Sequence, residues 1–213
     1  MVNNMVNSER KPGRPKDTKL NGRRRYLTED ELDRFMTEAR KSGKKYGLLF
    51  ALAYYYAMRV EEVVTLRLDD FNLPSHQITI RGKKAGRVRV YDLPEQIERK
   101  YQRWLKERAE LDGASENPYV FPSSTLPRSG HLSRDAAQAT FRALARKAGV
   151  GMPRSIHDLR HSAAQQMIKG GEDLATVQGW LRHRDIESTK AYIDDRATEI
   201  VERRMAARNA RFL

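Results

Sequence analysis

The sequence contains no cysteine, which excludes disulfides, thiol nucleophiles and thiolate metal sites and fits any redox compartment. No run approaches the ~18 apolar residues of a membrane span, and no signal-peptide pattern opens the chain. The expectation is a soluble, cytoplasmic protein, nucleoid-associated if prokaryotic, with no membrane partner. Five histidines are present, but no HExxH and no carboxylate cluster accompanies them, so no metal and no cofactor is expected. Acids are scarce relative to bases: 28 Asp and Glu against 41 Lys and Arg, a net charge of +13. Such a surplus favours a polyanionic partner, nucleic acid first and an anionic membrane surface second. At 213 residues the chain has room for one well-packed domain, or a domain with an appendage.

The basic surplus is dense at the start. Residues 1–25 hold eight Lys or Arg and two acids without hydrophobic periodicity, a composition that predicts disorder in isolation. MVNNMVNS repeats its own opening, which leaves Met5 open as an alternative start. Arg10, Lys11, Arg14 and Lys16 belong to RKPGRPK (10–16), which resembles an AT-hook. In that reading Arg14 enters the narrow, electronegative minor groove of A·T-rich DNA while the prolines keep the strand extended. The other reading is a solvated basic linker.

From Tyr26 onward the chain reads as folded. Thr28 and Glu31 form a capping-box pattern for a helix to about Lys41, with Leu32, Phe35, Met36 and Ala39 inward. Lys45 to about Ala57 is apolar almost all round and predicts a central core helix; Arg59 opens the next. Gln77–Arg81 and Arg87–Leu93 alternate in the strand manner about GKKAG, a hairpin pattern. Pro94 starts an amphipathic helix with Ile97, Tyr101, Trp104 and Leu105 inward. A Ser, Pro and Gly-rich loop from about Asp112 to Gly130 is interrupted by the apolar YVF. Ser133 caps a helix to about Ala148 that turns Arg134, Arg142 and Arg146 outward, toward phosphates or toward water. A basic amphipathic helix over 195–213 carries Ile200, Val201, Met205 and Phe212 as apolar marks. The fold class expected is α+β, mostly α, with one small antiparallel sheet.

The chemistry concentrates between Ser155 and Tyr192, which holds three of the five histidines. With Ser155 as N-cap, His157, Arg160 and His161 share one helical face. Gly170 and Gly171 stop that helix, a second from about Glu172 to Leu181 delivers His183 to the following turn, and a third over about Asp185–Ile193 presents Tyr192. Arginine, histidine and tyrosine together suit a phosphodiester. Guanidinium forks stabilise charge on the non-bridging oxygens, and a tyrosine oxygen can attack phosphorus. Only about one phenol in a thousand is ionised at pH 7, so the site must supply positive charge or a base. Taken singly, each of these residues has a plainer role on a surface or in packing. Their joint spacing carries the argument.

That spacing resembles the C-terminal signature of the tyrosine recombinases, also called phage integrases. His157 and Arg160 stand in HDLRH, His183 in WLRH 23 residues after Arg160, and Tyr192 nine residues further on behind Thr189. AMRVEEVVTLRLDDF resembles the family's GLRxxELxxLxxxDI, with Ala57 for Gly and Met58 for Leu. From the local sequence alone Arg59 reads as a surface arginine; the resemblance puts it on the first catalytic arginine and Glu62 on the acid that supports it, a pair that can meet at i and i+3. Asp69 and Asp70 look like a metal pair, and the same match makes them a structural loop.

The resemblance covers about Tyr26 to Leu213 and implies a tyrosine recombinase catalytic-domain fold over 26–213. It further implies cleavage and rejoining of specific sites in double-stranded DNA through a 3′-phosphotyrosyl link, for integration, excision or inversion. Tyr192 would be the nucleophile, Arg59 and Arg160 would hold the non-bridging oxygens, and His157 and His183 would assist proton transfer and oxygen binding. A lysine at the hairpin tip would protonate the departing 5′ oxygen: Lys83 by its position after the glycine, with Lys84 as the alternative. Neither ATP nor metal would be needed. The implied assembly is a homo-tetramer on DNA, the C-terminal helix docking on a neighbour, with accessory DNA-bending proteins as further partners. Family members commonly carry a helical core-binding domain ahead of this one. Only the basic tail stands here, as in a catalytic-domain-only enzyme like the fimbrial DNA invertases or in a truncated product. Two further readings are a type IB topoisomerase-like strand-passage enzyme and a non-catalytic architectural DNA-binding protein of the same fold; the short chain and integrase spacing weigh against the first, the full set of catalytic residue types against the second.

Deleting residues 1–25 is expected to flatten the salt dependence of DNA binding, by roughly one unit of log–log slope for each phosphate that the tail neutralises. Anisotropy titrations across a salt series measure it, and an unchanged slope would leave the tail without a role.

Overall fold

The computed structural model describes residues 26–82, 88–123, 130–151 and 155–182. Thr28 and Glu31 fix where the first helix begins: the Thr28 N–H donates to Glu31 Oε2 at 2.8 Å and the Glu31 N–H to Thr28 Oγ1 at 3.2 Å, a reciprocal capping box. Helix α1 (Glu29–Lys41) carries acids in its first turn and bases in its last, matching the helix dipole. Its Leu32, Phe35 and Ala39 are buried, and Met36 is partly so. Helix α2 (Lys44–Tyr55) follows, with Leu48, Leu49, Phe50, Leu52 and Ala53 buried.

The rest of the described chain runs α3 (Val60–Val64), a 3₁₀ turn at Leu68–Asp70, β1 (Phe71–Asn72), β2 (Gln77–Arg81), β3 (Val88–Asp92), α4 (Glu95–Ala109), α5 (Arg134–Lys147), α6 (His157–Lys169) and α7 (Leu174–Leu181). Helix α2 is the hub, packed against α1, α3, α4 and α6. Phe35 of α1, Phe50 of α2 and Phe141 of α5 meet at ring separations of 4.9–6.0 Å. The single sheet is antiparallel in the order β1-β2-β3, with Ile78 opposite Tyr91 and Ile80 opposite Arg89. The mostly helical α+β architecture with a small antiparallel sheet is therefore the one the sequence predicts.

Differences from the expected elements have local causes. Helix α2 stops at Tyr55, short of Ala57, because the Met58 N–H bonds back to Ala53 O and the Ala57 N–H to Tyr54 O, a Schellman ending with Ala57 at φ +47°. Gly149 and Gly171 take the same place after α5 and α6. Glycine takes that conformation freely, whereas alanine is held there against its own preference. Strand β1 was not expected, since two residues are too few for alternation to show. Ile156 is already helical, so Ser155 lies one residue outside the N-cap, its Oγ accepting from the His157 N–H at 3.2 Å. Asp173 caps α7 instead, accepting from the Thr176 N–H at 2.9 Å. Asp70 is buried and takes the Arg67 N–H and Arg81 Nε at 2.9 and 2.8 Å, a structural turn rather than half of a metal pair.

In α4, Leu105 is partly buried against the core, and Arg108, one turn past Trp104, is buried as well. The reason lies in the loop beneath. Val120 and Phe121 of YVF are buried, and the backbone of this segment needs donors: Trp104 Nε1 reaches Val120 O at 2.8 Å and Arg108 Nε reaches the preceding Tyr119 O at 3.1 Å. Among the described residues no helix is long and apolar enough to cross a membrane. The hairpin tip (83–87), the tail (1–25) and the helices expected over 185–193 and 195–213 lie outside the described residues.

Replacing Trp104 by Phe keeps the ring in place but leaves the buried Val120 carbonyl without its donor. A loss of about 1–3 kcal/mol is expected, measured by urea unfolding; an unchanged midpoint would mean that the hydrogen bond contributes nothing.

Candidate active site

The turn that ends α2 builds the site. Its left-handed residue, Ala57, directs the carbonyl into the interior, where the guanidinium groups of both Arg160 and Arg182 donate to it. Two residues on, Arg59 is extended at the N-cap of α3 (φ −72°, ψ 154°). Its backbone N–H donates to Glu62 Oε2 and its Nη1 to Glu62 Oε1, both at 2.9 Å. The i, i+3 pair expected from the sequence is therefore formed. It is lopsided in exposure: the Arg59 side chain is 36% exposed and that of Glu62 1%.

Glu62 holds a second cation. Nη2 of Arg182, on the residue after α7, donates to Glu62 Oε2 at 2.8 Å, and its side chain is 3% exposed. Its Nη1 reaches Tyr56 O at 2.9 Å, Trp180 O at 3.1 Å and the Tyr91 hydroxyl at 3.2 Å. Burial alone would raise the Glu62 pKa. The Arg182 charge, the Arg59 backbone and side-chain donors and the Arg182 hydrogen bond together outweigh burial, and the pKa ends below the ordinary glutamate value. Glu62 is thus a carboxylate shared by one buried and one half-exposed guanidinium.

The other expected residues take different places. Arg160, on the first turn of α6, is fully buried, and its guanidinium donates to the carbonyls of Ala57 and Leu181. His157 is exposed and His161 half-buried, their rings perpendicular with centroids 4.6 Å apart. Helical spacing thus brings His157 and His161 together, while Arg160 turns inward to the α2 turn. Lys83, Lys84, His183 and Tyr192 lie outside the described residues, as do Arg10, Lys11, Arg14 and Lys16. Among the described residues no three His, Asp or Glu side chains gather as metal ligands would.

An aromatic wall surrounds the buried guanidinium. Tyr56, Tyr91 and Trp180 pack with centroids 5.3–6.3 Å apart, and Arg182 Cζ lies 5.8 Å from the Tyr91 ring. The Tyr56 hydroxyl donates to Asp92 O at 2.8 Å. Burial, then the neighbouring Tyr55 and Asp92, push its pKa well above the usual phenol value, so Tyr56 is unsuited to attack phosphorus. Nothing in the sequence alone singles out Arg182 beyond its place in WLRH beside His183, and neither its positive φ of 54° nor its distant partner is written there.

Comparison with known proteins adds the lineage. The sequence pattern of the phage integrase family matches residues 25–199. Type 1 fimbriae regulatory protein FimE of Escherichia coli K12 is 32% identical over 80% of this chain and 85% of its own length. Tyrosine recombinase XerA of Pyrococcus furiosus is 28% identical over 78% of this chain, but this chain spans only 56% of it. Among solved structures, that of XerA recombinase aligns with a TM-score of 0.71 at 26% identity, over 86% of this chain and 64% of that one. XerH site-specific recombinase in its pre-cleavage complex with difH substrate aligns at 0.68 and 25% identity, over 79% and 50%.

Removing the shared carboxylate should be felt in stability. Glu62→Gln leaves Arg182 buried without its counter-charge and is expected to destabilise by about 3–5 kcal/mol at pH 7. The Glu62 pKa is lowered in the folded state, so its contribution is complete above the unfolded value of about 4.3 and is lost as pH falls through the folded value. The penalty of Glu62→Gln should therefore shrink as the pH is taken below 4. Urea unfolding across a pH series measures this, and a pH-independent penalty would overturn the charge assignment.

Proposed function

The chain belongs to the phage integrase family, and from that premise we propose that it is a site-specific recombinase that cleaves and rejoins double-stranded DNA through a covalent 3′-phosphotyrosyl intermediate. The observation that carries the reading is the half-exposed Arg59 guanidinium, braced at 2.9 Å by a carboxylate that is itself buried. A cation so held has its geometry set before substrate arrives, which is what stabilising charge on a phosphate in the transition state requires. The likeness to XerH, whose structure was solved with difH substrate, supports DNA as the partner, as does the net charge of +13.

In the proposed reaction Tyr192 Oη attacks the scissile phosphorus, its proton passing to His157 or His183. The P–O5′ bond breaks, and the leaving 5′ oxygen takes a proton from Lys83, or from Lys84 in its place. Arg59 neutralises a non-bridging oxygen. Arg160 is the second cation of the proposal; its guanidinium is buried on the Ala57 and Leu181 carbonyls, so it would reach a non-bridging oxygen only by giving up one of those bonds when DNA binds. Rejoining runs the steps in reverse, with the phosphotyrosyl bond conserving the energy of the diester, so neither ATP nor a metal enters the balance. Four protomers on DNA, the 195–213 helix docked on a neighbour, accessory DNA-bending proteins and an AT-hook role for Arg10, Lys11, Arg14 and Lys16 complete the proposal. The outcome is integration, excision or inversion.

The test is a denaturing-gel assay for a protein–DNA adduct in EDTA, on nicked substrates drawn from the DNA flanking the gene. The wild type is expected to form the adduct, and Tyr192→Phe to form none while binding the same DNA. Residual cleavage by that variant would remove Tyr192 as nucleophile. Supercoil relaxation without site preference would favour a topoisomerase, and tight binding without adduct on many substrates an architectural role.

A further inference from the structure

Arg182 is an expensive way to fill its place. Its backbone is left-handed at φ 54°, a conformation that suits glycine and strains other residues. Its charge is buried, and its Nε is buried without a hydrogen-bond partner among the described residues, each of which opposes folding. Glycine would end α7 without any of these penalties. What the arginine provides to another side chain's charge is the bond from Nη2 to Glu62 Oε2 at 2.8 Å. The other oxygen of that carboxylate holds Nη1 of Arg59.

We propose that Arg182 is a positioning residue for strand cleavage: it clamps the Glu62 carboxylate from the buried side and thereby fixes where Arg59 presents its guanidinium. The clamp is rigid because its other contacts are backbone carbonyls, Tyr56 O, Ala57 O and Trp180 O, together with the Tyr91 hydroxyl. Without it, Glu62 keeps only the Arg59 backbone N–H and Nη1, and the carboxylate is free to turn about the backbone anchor and carry the Arg59 guanidinium with it. Arg182 need not touch DNA for this; it acts through Glu62. The link is a property of the fold, while its effect on cleavage rests on the function proposed above.

The full chain is compared with Arg182→Gly, Arg182→Lys and Glu62→Gln in single-turnover cleavage at saturating DNA. Two substrates are used: the natural phosphodiester, and one whose scissile phosphate is a methylphosphonate, which removes the negative charge that Arg59 would neutralise. Arg182→Gly, which relieves the backbone, is expected to slow phosphodiester cleavage at least about tenfold with little change in DNA affinity, the mark of an interaction made in the transition state. On the methylphosphonate the slowing should largely vanish. Arg182→Lys should recover part of the rate, and Arg182→Gly/Glu62→Gln should be no slower than the worse single variant, since both break one connected set of hydrogen bonds. Equal slowing on both substrates, or no slowing, would overturn the proposal. A carbon-13 titration of the Glu62 carboxyl judges the link without any reaction: Arg182→Lys and Arg182→Gly should each shift its midpoint relative to the wild type, upward in the glycine variant. An unmoved midpoint in the glycine variant overturns the link. A wild type that forms no adduct on any substrate would overturn the function proposed above, with the link still decided by the titration.

Discussion

The counter-charge of Glu62 is the interaction on which the interior of this protein depends. Arg160 and Arg182 both bring guanidinium groups to the Ala57 carbonyl, and Arg59 lies two residues away. Three cations so near one turn repel one another unless something negative stands among them, and in a low-dielectric interior that repulsion is strong. One buried carboxylate, with one oxygen toward Arg59 and the other toward Arg182, turns the repulsion into a connection. Through it α3 is tied to the end of α7, and the Tyr91 hydroxyl on Arg182 adds β3 to the same knot.

The aromatic wall matters for the same reason. Tyr55, Tyr56, Tyr91 and Trp180 pack edge to face and in stacks around the Arg182 side, and the Arg182 and Glu62 side chains beneath are buried from water that would otherwise screen the pair. Trp180 Nε1 donates to Tyr55 O at 3.2 Å and Arg89 Nη1 to Gly179 O at 2.9 Å, so α7 is also pinned to α2 and β3. Arg59, by contrast, stays at the water boundary. One carboxylate therefore has a stiff inner partner and an accessible outer one, an arrangement suited to presenting charge to a ligand while keeping its support dry.

Much of this was legible in the chain. Capping by Thr28, Glu31 and Ser133 and the apolar periods of α1, α4 and α5 are local signals, and local structure obeys them. The Arg59 and Glu62 pair was legible because i, i+3 spacing is itself geometry. The end of α2 was not, because it uses a Schellman turn without its usual glycine. Leu105 packs partly buried against the core as its period predicts, but the burial of Arg108 was not legible, because the carbonyls it serves lie in another segment, around the YVF loop. Arg182 stayed hidden for a like reason: its meaning depends on a partner 120 positions away and on a positive φ that no arginine announces.

That separation also governs when the site can exist. Arg182 bonds to Tyr56 and Ala57 across 126 and 125 positions, so the cluster closes one of the longest loops in the described chain, and loop closure is an entropy cost met before the contact rewards it. During synthesis Glu62 emerges well before its inner partner. A chain still on the ribosome has α1, α2 and the sheet at its disposal, and the local bonds between Arg59 and Glu62, but no Arg182 to hold the carboxylate from its buried side. The carboxylate beside Arg59 therefore gains its inner partner only once α7 has docked.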